Sequence, residues 1–145
     1  MYNNYQAECH IALATLVGAV IGFERELRGK AAGIRTYAIV AMASCLFAIV
    51  SLTAGGTHDS TRIAAQIVSG IGFLGAGTIM RDRAGVKGLT TAASLWVVSA
   101  VGLAVGCGFY SAAIFSTVLT LVVLMVLRNV ERIILDKEAQ KTKER

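Results

Sequence analysis

The sequence predicts an all-α membrane protein of about five transmembrane helices, with the N-terminus outside and the C-terminus in the cytoplasm. Three observations carry this. The chain is 55% hydrophobic and only 16% charged, with a mean hydropathy of +0.65. Its apolar residues gather into five stretches, at Cys9–Phe23, Thr36–Ala54, Ile63–Met80, Leu89–Phe109 and Tyr110–Leu127. The 14 Lys and Arg residues fall between those stretches in the order 0, 4, 1, 3, 0, 6, the alternation that a positive-inside topology produces.

Each stretch has its own reading. The first is the weakest span, because only 15 uncharged residues separate Glu8 from Glu24, fewer than the roughly 20 that cross a bilayer. The second, third and fourth come close to that length. The fourth and fifth touch at Gly106-Cys107-Gly108-Phe109-Tyr110, so a tight turn must join them. Arg25, Arg28, Lys30 and Arg35 put the first loop inside, and Arg81, Arg83 and Lys87 do the same for the third. A transmembrane domain over residues 1–128 and a basic cytoplasmic tail over 129–145 follow. No basic n-region or cleavage site precedes the first span, so it is not read as a removable signal.

The net charge of +5 is explained by orientation. The basic residues lie in short juxtamembrane loops and at the bilayer surface, which argues against nucleic acid as a partner. Cys9, Cys45 and Cys107 lack metal-ligand spacing, although Cys9 and Cys107 both lie toward the outer side. No nucleophile–base constellation is present, so no enzyme is expected. Gly70, Gly72 and Gly75 match a dinucleotide-binding spacing, but inside an apolar span with no strand before it.

The glycines are the most pointed signal. Ser69-Gly70-Ile71-Gly72-Phe73-Leu74-Gly75-Ala76-Gly77 lies in the third stretch, and Gly18 with Gly22 and Gly102 with Gly106 form GxxxG pairs. In lipid such residues let helices approach closely. All eight glycines are therefore expected at helix-packing seams, within the chain or in a homo-oligomer, a dimer being favoured. A broken, ligand-binding helix is the other reading of the glycine run. Trp96, near the middle of the fourth stretch, is expected to pack on this seam.

The chain also matches itself at an offset of 55 residues: Gly22 falls on Gly77, Arg28 on Arg83, Gly33 on Gly88, Thr36 on Thr91 and Ser44 on Ser99. The matched pieces share a topology, which suggests a two-hairpin parallel repeat.

Polar residues near the span ends are the candidate site. Glu24 and Glu26 end the first span; Glu24 can pair with Arg28 at i, i+4, or both carboxylates can offer oxygen to a hard cation such as Mg²⁺. Two carboxylates alone do not make a metal site, and no cofactor is otherwise indicated. Arg35 and Thr36, and likewise Thr90 and Thr91, stand where spans two and four begin; the threonines suit helix caps, and the helix starts offer positive potential to an anion or headgroup. Asp59 suits a cap for span three, or a pair with Arg62 at an outer mouth, and Gln66 lies one turn deeper. Glu24, Arg35, Asp59, Arg62 and Gln66 would line a polar path if the protein were a transporter or channel. His10 and His58 have no metal-like companions.

Three blocks in register carry a family resemblance. They are Gly18-Ala19-Val20-Ile21-Gly22-Phe23-Glu24-Arg25-Glu26 with Ala32-Gly33-Ile34-Arg35-Thr36, then Asp59 to Val68 leading into the glycine run, then Lys87-Gly88-Leu89-Thr90-Thr91-Ala92-Ala93-Ser94-Leu95-Trp96. Over roughly residues 10–110 the chain resembles the membrane domain of the MgtC/SapB family. The resemblance implies a bacterial inner-membrane protein tied to growth in low magnesium and, in pathogens, to survival inside host cells. It implies action through contacts with itself or another inner-membrane protein, or, alternatively, transport of an ion or solute. Longer members continue into a cytoplasmic ACT-like domain, so functions resting on that domain are not carried over to a chain that stops at Arg145.

Overall fold

The computed structural model describes residues 3–54, 62–83, 85–130 and 133–134, with the side chains of 54 and 62–64 left aside. Five α-helices follow one another: α1 Asn4–Leu27, α2 Ile34–Ala54, α3 Arg62–Ala76, α4 Leu89–Gly106 and α5 Tyr110–Val122. A π-helical turn, Val123–Leu127, prolongs α5. Between α3 and α4 lies a short antiparallel hairpin, β1 Met80–Asp82 and β2 Gly85–Lys87, with Met80 opposite Lys87. The four ranges Asn4–Leu27, Ile34–Thr53, Leu89–Gly106 and Tyr110–Val130 are long and apolar enough to cross a membrane.

The strengths of the spans are not those expected. The first, read as the weakest, is a helix of 24 residues, because Glu24 and Arg25 are buried together inside the protein and do not stop it. The third, expected to run to Met80, has 15 residues. Its glycines end it: Gly77, Thr78 and Ile79 donate turn bonds to the carbonyls of Phe73, Gly75 and Ala76, and the Thr78 hydroxyl also bonds to Gly75 O.

Helix α2 is the centre of the packing. Its Ala41 is held between Gly18 of α1 and Gly102 of α4. A Cβ built on Gly18 would stand 2.7 Å from Ala41 Cβ, and one on Gly102 would stand 2.2 Å from Ala41 O. Gly22 lies against Ile34 and Tyr37, and Gly106 against Cys45 and Ala48. Small residues thus let three backbones meet where lipid offers no hydrophobic drive. Two buried clusters line the seams, one around Ile21, Tyr37, Leu95 and Val98, the other around Ala14, Cys45, Ile49 and Val105.

The seam does not extend along the glycine run. Gly75 makes ordinary contact with Ala92, at 3.6 Å from its Cβ, but Gly70 and Gly72 have nothing within 4 Å. Ile71 and Gly75, four residues apart, form the face of α3 turned inward, and the other two glycines lie off it. Trp96 is half exposed and lines a small cavity with Ile67, Val68 and Ile71 of α3.

Two residues matched by the 55-residue offset touch each other: the Ser44 and Ser99 hydroxyls are hydrogen-bonded at 2.8 Å between α2 and α4. Helices α2 and α4 also begin at matched positions, Ile34 and Leu89. The turns into and out of α4 depend on glycine. Gly88 has φ +91°, and a Cβ there would lie 1.9 Å from Thr78 O. Gly108, at φ +82°, closes α4 while Phe109 N–H bonds back to Ala104 O at 2.8 Å, a left-handed helix stop.

Candidate functional site: a buried charge cluster

At the C-terminal end of α1, charged and hydroxyl groups meet where α1, α2 and α4 converge. Glu24 and Arg25 are each about 96% buried, with relative exposures of 4% and 3%. Arg28 Nε donates to Glu24 Oε1 at 3.0 Å, and Arg25 Nη1 stands 3.5 Å from Glu24 Oε2. Arg25 Nη2 donates to the Thr91 hydroxyl at 3.4 Å. Tyr37, fully buried, shares a short hydrogen bond with the Ser94 hydroxyl and approaches Thr91 O at 3.4 Å. Ser94 also donates to Thr91 O at 3.0 Å.

The local sequence explains this convergence. Gly22 lets α1 ride close over Ile34 and Tyr37, which brings the next residues, Glu24 and Arg25, to the α2–α4 seam. Thr91 and Ser94 are one turn apart on α4 and share its buried face. Beside them, Glu26 Oε2 accepts the Ile34 N–H at 2.8 Å, so the first amide of α2 is capped from the neighbouring helix.

One carboxylate between two guanidinium groups leaves a local excess of positive charge. Burying such ions is expensive unless they are paired, and among membrane helices ionisable groups of this kind mark working or structural centres. The pairing here is incomplete. Glu24 Oε2 and Arg25 Nε are buried without a hydrogen-bond partner. The cluster is a clasp in which the ions pair along α1 while hydrogen bonds from Arg25 to Thr91 and between Tyr37 and Ser94 tie α1 and α2 to α4, with hydrogen-bonding capacity to spare.

The expected site residues distribute unevenly. Glu24 and Thr91 belong to the cluster. Glu26 does not join Glu24: two positions on, it faces elsewhere and caps α2, so the two carboxylates do not make a shared cation site. Among the described residues, no group of three His, Cys, Asp or Glu side chains is placed to hold a metal. Arg35 and Thr90 are exposed at the helix starts, and Gln66 is exposed on α3. Arg62 begins α3, while Asp59 and His58 lie outside the described residues. The threonines do not cap: Gly88 precedes α4 with no side-chain cap bond, and the Thr91 hydroxyl accepts from Arg25. His10 bonds to Tyr110 at the opposite end of the bundle, and the three cysteines are free.

Sequence reasoning passed over Arg25, Tyr37 and Ser94. The available signal was an arginine directly after a glutamate on a span judged too short, with a tyrosine and a serine inside apolar segments. Each of those polar groups needs a partner in lipid.

Four apolar helices of spanning length, glycine-mediated seams and a buried ion pair on α1 that hydrogen-bonds to α4 define a polytopic helical membrane protein. The chain belongs to the MgtC family, whose model matches residues 11–133. It is 45% identical over 125 residues to a protein of Escherichia coli K12 named "Putative magnesium transporter YhiD", covering 80% of this chain and 58% of that one. It is 45% identical over 130 residues to Protein MgtC of Brucella abortus strain 2308, covering 90% of this chain and 54% of that protein. An uncharacterized Synechocystis protein is 44% identical over 118 residues, covering 81% and 50%. The chain therefore spans little more than half the length of these relatives. No solved structure matches it.

Proposed function

We propose that this chain is a membrane unit of a bacterial inner-membrane protein that acts without catalysis, through helix contacts, in adaptation to magnesium limitation or stress. The N-terminus lies outside and the basic loops inside. The carrying observation is the state of the charged groups: Glu24 is already neutralised by Arg25 and Arg28 and sealed between helices. A residue so engaged suits a clasp better than a cation relay. The exposed side of α3 around Gly72, where an added Cβ meets nothing within 4 Å, supports close approach by a second helix, in a dimer of this chain or in a complex with another inner-membrane protein.

The competing reading is transport of Mg²⁺ or another ion or solute, favoured by the name of the Escherichia coli relative and by the spare hydrogen-bonding capacity of Glu24. The test is uptake of Mg²⁺ into liposomes carrying the purified protein and a trapped Mg²⁺-sensitive dye. Uptake equal to that of empty liposomes is expected. Uptake above that level, abolished by Glu24→Gln, would overturn the helix-contact reading.

A further inference from the structure

Away from the clasp's buried side, a groove of about 360 Å³ runs between the C-terminal halves of α1 and α5, with Phe23, Leu27, Leu121 and Met125 as apolar walls and Glu24 and Arg28 in its lining. The depth of this groove follows from the chain itself. α1 and α5 run parallel: His10, near the start of α1, meets the Tyr110 hydroxyl at the start of α5, with the rings 5.1 Å apart. Arg28 follows His10 by 18 residues, and Arg128 follows Tyr110 by the same 18. At 1.5 Å per residue each arginine lies about 27 Å along its helix from that contact, to within a turn. This is close to one hydrocarbon thickness of roughly 30 Å. Both guanidinium groups therefore reach the same membrane boundary, on the two helices that flank the groove.

Among the described residues their hydrogen-bonding capacity is open. Arg28 commits Nε to Glu24, and its two Nη groups are engaged by no described residue. Arg128 is exposed, and none of the ion pairs among the described residues includes it. Glu24 itself is sealed against Arg25 and Arg28 and only 4% exposed. Two cationic forks at a membrane boundary, above an apolar slot, match a particular chemistry. Guanidinium groups grip phosphate oxygens, and the slot takes a hydrocarbon chain.

We propose that the α1–α5 groove binds one anionic phospholipid. Its acyl chain lies between Phe23 and Leu121 and its phosphate between Arg28 and Arg128. A choline headgroup brings a third positive charge beside the two arginines, whereas an uncharged headgroup brings none. A basic residue near the surface favours anionic lipid by about fivefold, so two give about a 25-fold preference over a zwitterionic lipid of the same chains.

Native mass spectrometry of the full chain, released from micelles holding equal phosphatidylglycerol and phosphatidylcholine, tests this. One phosphatidylglycerol per chain, retained about 25-fold over phosphatidylcholine, is expected. Arg128→Gln should lower the preference to about fivefold, and Leu121→Trp should remove retained lipid of both kinds while circular dichroism stays unchanged. Arg128 is exposed, so its variant should fold. Equal retention of the two lipids, or a preference unaltered in Arg128→Gln, would overturn the proposal. So would displacement of phosphatidylglycerol by millimolar inorganic phosphate, which would mark the arginines as a site for free phosphate.

Discussion

Replacing Gly102 by alanine adds one methyl group at the closest helix–helix approach among the described residues. The new Cβ would stand 2.2 Å from Ala41 O and 2.9 Å from Ala41 Cα. Ordinary contact begins near 3.4 Å, so α2 and α4 must separate by roughly an ångström. The obstacle is backbone, and no rotamer change relieves it. Gly18 clamps the other side of Ala41 at 2.7 Å, so α2 cannot retreat without compressing α1. Overpacking of this kind costs about 1–3 kcal/mol, and the doubly clamped position belongs at the upper end, where the ratio of folded to unfolded falls by about 150-fold. Gly72→Ala is the matched control. It meets open space and gains up to about 1 kcal/mol of helix propensity. Unfolding by sodium dodecyl sulfate in mild-detergent micelles, followed by circular dichroism and by the single tryptophan, Trp96 on α4, reads both variants. An equal midpoint for Gly102→Ala and Gly72→Ala would refute the glycine-seam account of α2–α4 packing.

Arg25→Gln leaves the buried Glu24 carboxylate with Arg28 alone and should cost about 3 kcal/mol in the same titration; Glu24→Gln combined with Arg25→Gln should recover part of that loss, and strict additivity would argue against the pair. Tyr37→Phe strips a buried hydroxyl from Ser94 and Thr91 O and should cost about 1–3 kcal/mol, read as a lowered thermal midpoint. A double-mutant cycle on Ser44→Ala and Ser99→Ala should give a coupling of about 0.6 kcal/mol, a value near zero dissolving the hydroxyl pair. Lys87→Ala breaks an exposed 2.7 Å bridge to Asp82 in the hairpin and should shift stability by less than about 0.5 kcal/mol.

The helical membrane architecture was legible because hydropathy and glycine spacing respond to the bilayer before any tertiary contact forms. Gly18, Gly22, Gly102 and Gly106 are spaced for helix contact, and each meets a backbone or methyl group of α2. Gly70 and Gly72 carry the same local pattern and meet nothing, since which face of α3 turns inward depends on its partner and not on its own sequence. The length of α1 was misjudged for a related reason. A charge ends an apolar run on paper, whereas Glu24 and Arg25 extend the helix by neutralising each other against Thr91. Tyr37 and Ser94 are 57 residues apart, and no window along the chain could bring them together. The threonines do not cap because both helices begin before them, α2 at Ile34 and α4 at Leu89, and the Ile34 amide is met instead by Glu26, from eight residues away.

Helix α3 has a mechanical consequence of its own. Its 15 residues span about 22 Å, against roughly 30 Å of hydrocarbon in an average bilayer. Neighbouring α2, with 21 residues, is long enough for that thickness. A membrane that fits one strains the other, and the shortfall at α3 is met by thinning of the lipid, by snorkelling ends or by association with another helix. The acyl-chain length of the surrounding lipid thereby becomes a term in the protein's own energy. Shorter chains should steady α3, longer ones should pull at its contact with Ala92, and melting in bilayers of graded chain length would trace that dependence.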